Sequence, residues 1–96
     1  MLPSLAVEVP KEQVPGLRFP AQPVLLTPPH RRSLDRKIHQ AMTLGNTDHC
    51  KCRILFKDDQ GMKYVETTVW SFDRERIVLK SGITIPIARV IDVDLI

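Results

Sequence analysis

Cysteine is nearly missing from this chain. Cys50 and Cys52 are the only two, and two positions apart in a strand they would leave the same face, so a bond between them would be strained. With no other cysteine to staple the fold, the expected setting is reducing and cytoplasmic. Glycine is scarce as well: the four stand singly at 16, 45, 61 and 82, which excludes a glycine-rich phosphate loop. No apolar run approaches the ~20 residues that cross a bilayer, so no membrane partner is expected. The start, MLPSLAVEVPKEQVPG, is interrupted by Pro3, Pro10 and Pro15 and lacks the basic opening and apolar run of a signal peptide.

The chemistry of catalysis and metal binding is equally thin. No Ser/His/Asp or Cys/His arrangement has supporting spacing, and there is no Cys-x-x-Cys pair. His49, Cys50 and Cys52 offer soft donors, but zinc takes four ligands, and His30 and His39, the only other histidines, fall elsewhere. Asp58 and Asp59 read as turn carboxylates, and Asp92 and Asp94 as the wet face of a strand. The expectation is no catalytic residue, no metal, no cofactor and no enzyme: a binding module of one small domain.

What the chain does have is unevenly spread. Its net charge is +3. Residues 45–96 hold eight Lys or Arg against eight Asp or Glu, so the whole excess lies in residues 1–44, concentrated between His30 and His39. A polyanion would be drawn to that segment first.

Seven of the eight prolines fall in residues 1–29. Each fixes φ and removes a donor, so neither helix nor central strand runs through them. Residues 1–28 are an extended or disordered arm, with the solvated tail the favoured form; Val14, Leu17, Phe19, Val24, Leu25 and Leu26 are the apolar residues that would let it lie along the domain or a partner. Thr27 then offers a helix cap and Pro28 and Pro29 suit a first turn. Leu34, Ile38, Ala41 and Met42 form one apolar face, and Gly45 with Asn46 is the expected stop. The spacing predicts an amphipathic basic helix over 29–45.

Residues 46–96 switch to alternation. Cys50–Phe56 is a strand, residues 57–61 a hairpin turn in which Gly61 supplies positive φ, and Met62–Phe72 a long run that must bend. Asp73-Arg74-Glu75 turns into Arg76–Lys80, Ser81-Gly82 into Ile83–Ile85. Pro86 ends a strand or marks an edge, Ile87-Ala88-Arg89 makes a tight turn, and Val90–Leu95 closes the set. The predicted core is Val69, Ile77, Leu79, Ile83, Ile85, Ile91 and Val93. The fold class that follows is mainly β: an N-terminal helix followed by a five-stranded antiparallel small barrel.

That order of elements resembles the Sm-like members of the SH3-type small barrels. Ser71-Phe72-Asp73 followed by Val78-Leu79-Lys80, a hairpin and a closing strand is similar to the centre of the bacterial RNA-chaperone Hfq family. The resemblance spans about residues 34–93 and implies RNA binding. The Lys-His pair that this family places before its last strand is replaced by Ile87 and Ala88, so of its uridine site only Phe72 and Asp73 carry over. The TTVW and IPI stretches are also similar to short uncharacterised bacterial proteins, which implies a fold and no activity.

Two partner classes remain open. RNA or DNA would use Arg31, Arg32, Arg36 and Lys37 on the helix, Lys51 and Arg53 on the first strand, and Phe72, with Tyr64 and Trp70 as further stacking surfaces. A protein partner would use the apolar arm, and exposed strand edges would serve a homo-oligomer.

Overall fold

A computed structural model describes residues 6–24 and 26–96. In chain order it contains β1 (Val7–Glu8), a 3-10 turn (Lys11–Gly16), α1 (Pro28–Asp48), β2 (Cys52–Asp58), β3 (Gly61–Thr67), β4 (Val69–Phe72), β5 (Arg76–Leu79), a second 3-10 turn (Lys80–Gly82), β6 (Thr84–Pro86), a third 3-10 turn (Ile87–Arg89) and β7 (Val90–Leu95).

The helix starts where the chemistry of its first turn allows. The Thr27 hydroxyl accepts the N–H of His30 at 3.4 Å, and Pro28 and Pro29 occupy positions whose N–H groups would have no partner inside the helix. It continues past the expected stop at 45 to Asp48 and ends on His49, whose φ of 55° is left-handed. Leu34, Ile38, Ala41 and Gly45 are its buried residues, with Met42 half-buried against the core. Gly45 therefore serves packing rather than termination: a Cβ there would lie 2.6 Å from the Val69 carbonyl oxygen.

The β2–β3 hairpin is closed by Asp58, whose Oδ1 accepts the N–H groups of Gln60 and Gly61 at 2.8 and 3.0 Å. The long run bends at Thr68, so β3 and β4 belong to different sheets, ordered β1-β3-β2-β7 and β4-β5-β6. Asp73 Oδ1 accepts from Glu75 and Arg76 N–H in the β4–β5 turn. Ser81 (φ 71°) and Gly82 (φ 79°) make the next one.

The expected mainly-β barrel is not what forms. Among the described residues helix and strand each make up 37%, and neither sheet closes. Pro86 ends β6 without an N–H to donate, and the turn at Ile87–Arg89 carries the chain to β7, which pairs with β2 at the edge of the other sheet. Among the described residues no ladder joins β6 to β7. Instead α1 packs against β4 of one sheet and β7 of the other. The apolar stripe of the helix does the work that further strand pairing would do in a barrel.

Of the predicted core, Val69, Ile77, Leu79, Ile85 and Val93 are buried, whereas Ile83 and Ile91 are half-buried. The register of β2 against β7 slips between Leu55 and Phe56. That bulge places Val90 inward instead of Ile91, because an extra residue reverses the alternation of faces.

The arm is not a free tail over residues 6–24. β1 pairs in parallel with β3, and Val9 and Val14 are buried. Phe19 meets Phe56 with ring centres 5.9 Å apart. Arg89 donates to the carbonyls of Pro20 and Ala21 at 2.6 and 3.0 Å, and Val24 N–H to that of Ala88 at 2.8 Å. Proline keeps central strands and α-helix interiors out of this stretch but leaves the intervening apolar side chains free to pack. Of the other arm residues, Leu25 and residues 1–5 lie outside the described set.

Among the described residues no helix is long and apolar enough to cross a membrane.

Candidate functional site

A concavity of about 910 Å³ runs between α1 and the turn that follows β4. One wall is a helical stripe at i, i+4 spacing, Arg31, Asp35, His39 and Thr43, joined by Arg36 and Gln40. The other is Phe72, Asp73 and Arg74, with Ile87 also lining the groove. Phe72 is half-buried, and the His39 ring stands edge-on to it at 6.2 Å and 89°. The groove thus has an apolar floor with polar and charged groups around it.

Three arginines, Arg31, Arg36 and Arg74, line the groove together with two aspartates, Asp35 and Asp73. Asp73 is committed to its own turn: the backbone N–H groups of Glu75 and then Arg76 hold its carboxyl below the usual carboxylate range. An incoming anion therefore meets arginine donors that suit phosphate or carboxylate oxygens, beside an aromatic face.

The residues expected from the sequence divide among several places. Arg31, Arg36 and Phe72 come together in the groove. Arg32 is exposed on α1 and does not line it. Lys37 forms an ion pair with Asp92 at 3.0 Å, which ties the helix to β7. Arg53 faces Glu66 across the β2–β3 ladder at 3.3 Å, a pair made by proximity without an aligned hydrogen bond. Lys51 lines a different cleft, beside Trp70. Tyr64 is half-buried on β3.

Arg74, Asp35 and Ile87 belong to the groove without having been singled out for it. Arg74 had one signal, its place two residues after Phe72 in a turn. The facing of Asp35 and His39 had none, because sequence alone does not tell which polar stripe of a helix meets a turn from another element.

The soft donors do not converge. His49 is exposed and Cys52 buried; the Cys52 thiol donates to the Thr67 carbonyl at 3.4 Å, and burial pushes its pKa up to about 12. Both cysteines are free thiols. Among the described residues no three His, Cys, Asp or Glu side chains cluster as metal ligands would.

Comparison with known proteins adds no relative: no family model matches the chain, nor does any curated protein or solved structure.

Proposed function

We propose that this protein is a non-enzymatic binding module, acting in the cytoplasm, that holds single-stranded nucleic acid in the groove between α1 and the β4–β5 turn. The observation that carries the reading is the convergence of Arg31, Arg36 and Arg74 around the half-buried ring of Phe72. Arginines meet the phosphates and the aromatic face meets a base, the combination by which proteins hold unpaired strands. A duplex keeps its bases stacked inside and cannot use such a face.

The alternative, a protein adaptor gripping its partner through the arm, has less to draw on. Val14 is in the core, and Leu17, Phe19 and Leu26 pack against it, so the side chains a partner would need are already used within the fold.

The test is a titration of the purified protein with short single-stranded RNA and with duplex DNA at roughly 50 and 200 mM salt. The single strand should bind more tightly, with affinity falling steeply as salt rises. No detectable binding at the lower salt would overturn the reading.

A further inference from the structure

The chain has a single tryptophan, Trp70, and it is 46% exposed. One exposed aromatic on a small protein is ordinary, but the surroundings of this one are not. It lines a cleft of about 390 Å³ together with Lys11, His49, Lys51, Lys80 and Glu66. Glu66, the carboxylate in the cleft, faces Arg53 at 3.3 Å, and Lys11 is paired with Glu12 at 3.5 Å, which leaves Lys51 and Lys80 as the cations of the rim. Lys51 and Lys80 are exposed. The cleft is therefore a cationic rim around a wet aromatic face.

Its placement relative to the groove is the second observation. Trp70 and Phe72 lie two residues apart on β4, ~7 Å along a strand, and the register against β5 slips between Val69 and Ser71. Trp70 is thus the unpaired residue of a bulge, a device that re-aims a side chain. Asn46, near the end of α1, fixes the bulge by donating its side-chain amide to the Trp70 carbonyl at 3.3 Å. One strand consequently presents two aromatics, one to the arginine-lined groove and the other to the lysine-lined cleft.

The geometry points to a second base-stacking subsite at Trp70, with Lys51 and Lys80 as its phosphate contacts, that engages the same single strand as the groove. The inference rests on the proposed binding of single-stranded nucleic acid and extends it: a strand that reaches both aromatics binds more tightly than one that fills the groove alone. Stacking on tryptophan is sequence-tolerant because every base has a π-face, so the subsite adds affinity and demands length without reading sequence.

The experiment titrates full-length protein with mixed-sequence single-stranded RNAs of about four and about twelve nucleotides, following both affinity and Trp70 fluorescence. The longer RNA should quench Trp70 saturably. Trp70→Leu should weaken it roughly tenfold and Trp70→Phe much less, because the ring retains a stacking face. The four-nucleotide RNA should be nearly indifferent to Trp70→Leu and sensitive to Phe72→Ala. If the longer RNA leaves the fluorescence of wild-type Trp70 unchanged and binds Trp70→Leu with unchanged affinity, while Phe72→Ala weakens it, the subsite is refuted and the groove stands. If Trp70→Leu and Phe72→Ala fold as the wild type does and neither RNA binds the wild type, both readings fail together.

Discussion

Gly45 of α1 rests against the backbone of Val69, close enough that a Cβ would lie 2.6 Å from the Val69 carbonyl oxygen and 2.8 Å from Thr68 Cγ2. This contact sets how near the helix comes to β4, and the groove proposed to bind nucleic acid lies between α1 and the turn that follows β4. In an isolated helix Gly→Ala would gain about 1 kcal/mol. Here the neighbour is backbone and cannot step aside, so Gly45→Ala should destabilise the fold by roughly 1–3 kcal/mol, measured by urea unfolding. A stabilising effect would mean that the helix stands further off than described.

The arm offers a test of packing against composition. Val14 is 1% exposed within the core cluster, and hydrogen bonds from Arg89, Val24 and Asp59 link residues 18–24 to the body of the fold. Deleting residues 1–24 should therefore lower the unfolding midpoint sharply, and Val14→Ala alone should cost about 1–3 kcal/mol. An unchanged midpoint on deletion would show that the arm contributes nothing.

A pH dependence follows from the β2–β3 turn. Burial pushes the Asp58 carboxyl up, but the Lys63 ammonium 2.7 Å away and the N–H groups of Gln60 and Gly61 outweigh it, leaving a net shift downward. A folded-state pKa below the unfolded value stabilises the fold above the unfolded value, near 3.9, and that stability is lost as pH falls through the folded one. Urea midpoints should drop as pH is lowered from about 5 to about 3. Asp58→Asn should be less stable at neutral pH and show a shallower acid limb; an identical limb would assign the acid loss to other groups.

How much of this was readable in the sequence depends on how local the physics is. The Thr27 cap, the Asp58–Gly61 turn, the Ser81-Gly82 turn and the halt at Pro86 each rest on chemistry within a few residues. Gly45 was misread because a glycine that ends a helix and one that admits a neighbouring strand look alike in sequence; His49 is the residue that takes the left-handed conformation. Ile91 yielded its core position to Val90 through a bulge that depends on a partner strand. The same limit governs the site. Arg31 and Phe72 were identifiable as residue types, but their meeting with Arg74 and His39 is set by how α1 docks across two sheets, and the expected barrel gave no such groove.

The most direct measurement of the central claim is the salt dependence of single-stranded RNA affinity for the wild type, for the triple variant Arg31→Gln/Arg36→Gln/Arg74→Gln, and for Lys37→Gln as a control whose cation is paired with Asp92. Each lost phosphate contact should reduce the slope of log affinity against log salt by about 0.7. The triple variant should bind more weakly with a slope shallower by about 2, while Lys37→Gln stays close to the wild type. Equal slopes and affinities for the wild type and the triple variant would contradict the assignment of the groove as the nucleic-acid site.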